Sequence, residues 1–218
     1  MELTDAMRCA PTSRRFTGEP IAEDVIRSVL DNARFAPSGG NRQGWRVVVV
    51  RDGELRRAIR DLYLPAWRDY MEQTGGAQLL REPDAFDAAR VRMVQRSDHY
   101  ATHLDELPVH LLIGVRIADV LATDAQLARL SIVGGASIYP FVQNVLLALR
   151  DVGLGAALTT LLVPAEAEVK ELLGFPDDVA LAAHIGVGHR ADPWPRRLAR
   201  KPVEEFAFAD RYGEPFRP

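Results

Sequence analysis

Three short segments concentrate the side chains that could hold a charged ligand. They are Thr12-Ser13-Arg14-Arg15-Phe16, Ala36-Pro37-Ser38-Gly39-Gly40-Asn41-Arg42-Gln43 and Arg196-Arg197-Leu198-Ala199-Arg200-Lys201-Pro202. A phosphate monoester asks for guanidinium or ammonium groups with hydroxyl or backbone N–H donors beside them. The Ser-Gly-Gly-Asn run can bring backbone N–H groups close to such a ligand. Taken singly, each segment also has a plainer reading, as solvated surface charge or as a turn.

Other chemistries find less support. His99 and His103 stand four apart on a helical stretch, but no Glu follows His99 and no third ligand is evident, so no metal site is expected. Gly153-Leu154-Gly155 follows a helix and precedes a strand, the reverse of the order a dinucleotide fingerprint needs. Gly135-Ala136-Ser137-Ile138-Tyr139 lacks the final glycine of a nucleophile elbow. Cys9 lies beside arginine in a near-terminal segment and reads as incidental. As the only cysteine it can form no intrachain disulfide, which suits a reducing cytoplasm.

The elements that must position these loops follow from periodicity. Residues 1–8 read as a short amphipathic helix, and Ala22 to Phe35 as a strong one, with Val25, Ile26, Val29, Leu30 and Ala33 on one face. Trp45 to Val50 and Val109 to Val115 read as buried strands, joined by further strands at about 156–162 and 179–187. A helix begins at Leu55. The pattern then weakens around Gly75-Gly76, so an irregular excursion is expected from Tyr63 to about Asp84, with a helix over 86–103. Ser137 to Arg150 is apolar on nearly every side, the mark of a central helix, and Pro164 to Leu173 is a shorter one closed by Gly174. Helices alternating with four strands give an α/β or α+β layered domain, with strand direction left open.

The bulk numbers bound the function. A chain of 218 residues, 47% hydrophobic and with a formal charge of -3, can bury a real core and gives no reason to expect nucleic acid as a partner. The N-terminus lacks a signal-peptide pattern and the apolar runs are too short to span a membrane, so a cytoplasmic protein is expected. The tail from Ala191 carries five prolines and also Phe206, Phe208, Tyr212 and Phe216, so it is expected to wrap along another surface.

Read together, the segments carry a resemblance. Arg14-Arg15-Phe16 with Glu19-Pro20-Ile21, then Ala36 to Trp45 running into Val47–Val50, is similar to the N-terminal signature of the flavin-dependent nitroreductase family. Gly135-Ala136-Ser137-Ile138-Tyr139-Pro140 with Val142-Gln143-Asn144, followed by Gly153-Leu154-Gly155, resembles that family's central helix and its exit. Arg200-Lys201-Pro202-Val203-Glu204-Glu205 resembles its ending. The likeness spans nearly the whole chain and is weakest between Tyr63 and Leu104.

The resemblance implies a single α+β nitroreductase-like domain over residues 1–218, with a mostly antiparallel sheet flanked by helices, in an intertwined homodimer. A C-terminal extension from about 191 to 218 would wrap the partner subunit. Residues from about 63 to 104, with Trp67, Tyr70 and Phe86, would form a variable lid. FMN would sit at the subunit interface. By position, Thr12 and Arg14 would contact it from one chain, and Pro37, Ser38, Gly39 and Asn41 from the other. Gln43 would reach the ring's polar edge, and Leu158, Thr159 and Leu161 would lie along the isoalloxazine. Arg200, helped by Arg197, would hold the phosphate. Ala10 stands where the family often has an arginine, and Arg8 is the candidate replacement.

No catalytic side chain is expected, since a flavin carries the hard chemistry itself. The implied activity is that of an oxidoreductase, which takes hydride from NAD(P)H and reduces a small electron-poor acceptor, a nitroaromatic or quinone, by a ping-pong cycle. Proteins of this fold also perform dehalogenation, azoline oxidation and flavin fragmentation. A reading from another class is a flavin-binding regulatory protein without turnover.

Overall fold

A computed structural model describes residues 1–216; Arg217 and Pro218, the last two residues of the expected tail, lie outside the described residues. In chain order the helices and strands are α1 (Leu3–Cys9), α2 (Glu23–Ala33), β1 (Trp45–Val50), α3 (Gly53–Gln73), α4 (Gly76–Arg81), α5 (Ala88–Thr102), β2 (Val109–Arg116), α6 (Tyr139–Asp151), β3 (Leu154–Thr159), α7 (Glu166–Leu173) and β4 (Val179–His189). The strands form one sheet of order β1-β2-β4-β3, and every neighbouring pair is antiparallel. The architecture is therefore α+β.

Helices cover both faces of this sheet. One apolar cluster joins Ile26 and Val29 of α2 and Phe141, Val142 and Val145 of α6 to Leu111, Ile113 and Ile185 of the central strands. A second joins Ile59, Tyr63 and Trp67 of α3, Val91 and Tyr100 of α5 and Val169 of α7 to Leu112, Ala157 and Leu181. Adjacent β2 residues serve opposite clusters because strand side chains alternate between faces. Strands covered on both sides read as near-continuous apolar runs, as Val109–Val115 does.

One expectation is overturned. The stretch from Tyr63 to Asp84 is not an irregular excursion: α3 continues to Gln73 through Pro65, and α4 follows after the left-handed turn at Gly75. Ile59, Tyr63, Trp67 and Met71 repeat every four residues and are all buried, so one continuous helical stripe crosses the proline. Pro65 itself is exposed, and its ring faces solvent. Smaller shifts have local causes. α6 starts at Tyr139 because Pro140 is placed in its first turn, where a missing N–H costs nothing. β3 stops at Thr159 because the Thr159 hydroxyl accepts the Leu161 N–H at 3.2 Å and turns the chain.

Candidate functional site

The first loop is laid across β3 and β4. Thr12 bridges to Ala156, the Ser13 N–H donates to the Ala156 carbonyl at 2.8 Å, and the Thr17 N–H donates to the His189 carbonyl at 2.8 Å. So close an approach needs glycine beneath it. A Cβ at Gly155 would stand 2.8 Å from the Ser13 hydroxyl, and one at Gly188 would stand 2.8 Å from the Phe16 ring. Ser13 is fully buried there, and its hydroxyl accepts from Arg190 Nη1 at 3.0 Å.

Held this way, Thr12 and Arg14 line a cavity of about 580 Å³ with Ala157, Leu158, Thr159, Thr160 and Leu161. β3 is an edge strand. Ala156 turns its carbonyl outward to Ser13, so by the two-residue alternation Leu158 presents its backbone groups to the same side. An open edge offers N–H and C=O groups to a ligand with a polar rim.

The opposite wall is aromatic. Tyr63, Trp67 and Tyr70 stack in series with ring centroids 6.5 and 5.8 Å apart. Trp67 donates from Nε1 to Asp98 at 2.9 Å, which pins this wall between α3 and α5. The Tyr63 hydroxyl lies 3.4 Å from Thr159 Oγ1. The Tyr100 ring also lines the cavity, and its buried hydroxyl lies against the backbone at Gly186. Burial pushes both phenols above their ordinary values, and the nearby Arg14 charge acts in the opposite direction. A guanidinium with no acid partner among the described residues, across from an aromatic wall, fits a polar anionic ligand with an apolar body.

Pro37, Ser38, Gly39, Asn41 and Gln43 lie elsewhere, and the structure does not bring them into this cavity within one chain. Their loop is anchored to the approach of α6: the Gly39 N–H donates to Ser137 Oγ at 3.0 Å, and the Gln43 N–H donates to Ser38 Oγ at 3.0 Å. Gln43 Nε2 donates to Asn41 Oδ1 at 3.2 Å. Asn41 and Gln43 adopt φ of 53° and 51°, left-handed values that cost a non-glycine residue on the order of 1 kcal/mol each. Strain held in an exposed loop is a mark of a functional segment.

Arg197 and Arg200 line a third place, an open groove shared with Met7, Arg8 and Lys201. The Leu198 N–H donates to the Arg8 carbonyl at 2.8 Å, so Arg8 does join the C-terminal basic cluster. Sequence reasoning missed Tyr100, Ser97 and Arg90 of the cavity, which α5 delivers, and Thr160 beside the expected Thr159. Nothing short-range marks them, because their place depends on how α5 docks.

Under the cavity, His184 is the cross-strand partner of Thr159, and its Nε2 lies 2.8 Å from Nδ1 of His110. Both rings are buried, and burial holds His110 down at about 4 and His184 well below its usual value. The pair is neutral and shares one N–H. His99 and His103 stack at 4.1 Å, but no group of three possible metal ligands occurs among the described residues. Cys9 is buried.

A model of the nitroreductase family matches residues 11–189, from the first loop to the end of β4. The chain belongs to that family. Its nitroreductase match includes both partners of the loop-on-strand contact and ends before the tail. The chain is 30% identical over 186 residues to an NADH dehydrogenase of Thermus thermophilus, covering 82% of each protein. It is 31% identical over 195 residues to an iodotyrosine deiodinase of Thermotoga neapolitana, covering 89% of this chain and 91% of that one. A crystal structure of oxidized iodotyrosine deiodinase bound to FMN and 3-iodo-L-tyrosine is similar with a TM-score of 0.70 and 25% identity, over 97% of this chain and 99% of that one.

Proposed function

We propose that this nitroreductase-family chain is an FMN-dependent oxidoreductase, working as a homodimer, that takes hydride from NAD(P)H and delivers it to an electron-poor conjugated acceptor. The cavity under the first loop carries this reading, because Arg14, the open edge of β3 and the Tyr63–Trp67–Tyr70 wall all converge on it. FMN, when bound, supplies the two-electron chemistry by accepting a hydride and returning it.

The protein's own part is binding, orientation and electrostatics. Thr12 and Arg14 would hold the flavin from the first loop, and Leu158, Thr159 and Leu161 would lie along it. Positive charge at Arg14 favours added negative charge nearby, which needs no acid–base dyad. The Tyr63–Trp67–Tyr70 wall excludes water and offers a flat acceptor a surface to stack on. Arg200, with Arg197 and Arg8 in the same groove, would take the phosphate. Ser38, Gly39 and Asn41 would reach the flavin from a second copy. Leu130 and Ile132, 85% and 72% exposed and two residues apart, are apolar surface that a second copy would cover. The extended tail would cross onto the partner, and α3 to α5 would act as the cover that selects the acceptor.

Similarity to two iodotyrosine deiodinases favours one alternative, reductive dehalogenation of a halogenated phenol at the same site. An absorbance spectrum of the purified protein, followed by anaerobic NADPH and then NADH, separates the readings. Twin flavin bands that bleach and return with a nitroaromatic or quinone are expected. Return with a halogenated phenol alone selects the second reading. Absence of flavin after incubation with FMN refutes the cofactor, and bands that never bleach refute the hydride donor.

A further inference from the structure

Beside the main cavity is a smaller recess of about 250 Å³ lined by Arg14, Arg92, Arg96 and Arg190, with Thr12, Met93 and Asp192 among its other walls. Thr12, Arg14 and Met93 line both spaces, so the two are adjacent. Three separate parts of the chain deliver the guanidinium groups: the first loop, α5 and the residue after β4. Arg92 and Arg96 are one turn apart on α5 and point the same way.

The recess gathers four guanidinium groups around one acid, and none of the four has a carboxylate within 4 Å among the described residues. The one acid present, Asp192, bonds Arg15 at 3.3 Å. Arg190 is fixed in place, donating to Ser13 Oγ at 3.0 Å and to the Pro193 carbonyl at 3.3 Å. Burial works against its charge, Asp192 supports it, and the neighbouring Arg96 opposes it. Converging like charges on a partly desolvated wall are unfavourable until an anion completes them, and guanidinium forks match carboxylate and phosphate oxygens in geometry.

We propose that the recess holds the anionic group, carboxylate or phosphate, of a ligand whose flat part occupies the main cavity over the flavin. This rests on the flavin reading above and adds the substrate class: an acidic conjugated acceptor, or the phosphates of the nicotinamide donor. Both share the same recognition chemistry, and the test tells them apart.

The variant is R92Q/R96Q, at two exposed helix positions outside the core. With the FMN-loaded protein, kcat/KM is measured for 4-nitrobenzoate against nitrobenzene and for NADPH against NADH, at low and high salt. A fall of about tenfold in the 4-nitrobenzoate preference, shrinking at high salt, supports an acidic acceptor. A similar fall in the NADPH preference, or an equal loss for both donors with the acceptor ratio unchanged, supports the donor's phosphates. Unchanged values on every arm overturn the proposal. Release of FMN by the variant also overturns it, since the recess would then serve the cofactor's own phosphate. Calorimetric titration of 4-nitrobenzoate and pyrophosphate into flavin-free protein reads the recess without turnover: at least tenfold weaker binding of one of them to the variant is expected, and equal binding of both to wild type and variant contradicts it. A wild type that takes up no FMN yet shows this difference leaves the recess standing and sinks only the flavin reading.

Discussion

The two halves of the candidate site differ in how complete they are. Thr12 and Arg14 sit on a loop locked to β3 and β4 by backbone bonds, with Gly155 and Gly188 making room beneath. Ser38, Gly39 and Asn41 sit on an exposed loop, with Asn41 at a left-handed φ, that does not line this cavity. Under the proposed function, the first half is finished by folding of one chain, and the second would be completed by a partner. Similar sequence motifs can thus encode either a built wall or a surface offered to a partner.

Acid should separate the halves most strongly. His110 is held at about 4 against an ordinary 6.5, so the unfolded chain binds more protons between those values and stability falls as pH drops through them. His110 alone contributes about 3 kcal/mol that is present above pH 6.5 and lost by about pH 4. Thermal unfolding from pH 7 to 4.5 should show this loss, and H110Q/H184Q should flatten it. An unchanged slope in the variant would separate the histidine pair from the acid response.

Within the built half, R14E should weaken FMN binding about a hundredfold while the melting temperature stays within a few degrees, because Arg14 contacts no acid whose pairing is lost. Fluorescence titration of FMN checks this. For the offered half, ending the chain at Lys201 removes Phe206, Tyr212 and Phe216, which are 63%, 94% and 53% exposed. Self-association should weaken about tenfold or more by sedimentation, and FMN should be lost as the protein dilutes to monomer. A dilute monomer that keeps FMN would break the comparison. The smallest effect belongs to S137A, which frees the Gly39 N–H and should cost FMN affinity severalfold with little change in melting.

The sequence and the structure agree where the signal is local. Trp45 to Val50 is a strand to the residue, and the helix read over Ala22 to Phe35 runs from Glu23 to Ala33. The α+β class followed from resemblance, whereas strand direction was not readable from alternation alone. The miss at Tyr63–Asp84 came from letting Gly75-Gly76 outweigh a four-residue stripe that tertiary packing then satisfied. Of the candidate ligand residues, Thr12, Arg14, Leu158, Thr159 and Leu161 share one cavity. Tyr100 and the Arg92–Arg96 pair were not legible, since only the docking of α5 on the sheet gives them a site to face.

The claim that one flavin site is built from two chains has a direct test. R14E and N41E chains, each carrying a different tag, are co-expressed, and the mixed dimer is isolated and its FMN content measured. Each variant alone should retain little FMN. If the site crosses chains, the mixed dimer has one site with both changes and one with neither, and it should hold one FMN per two chains. A mixed dimer as empty as its parents would contradict the account, because each site would then be confined to a single chain.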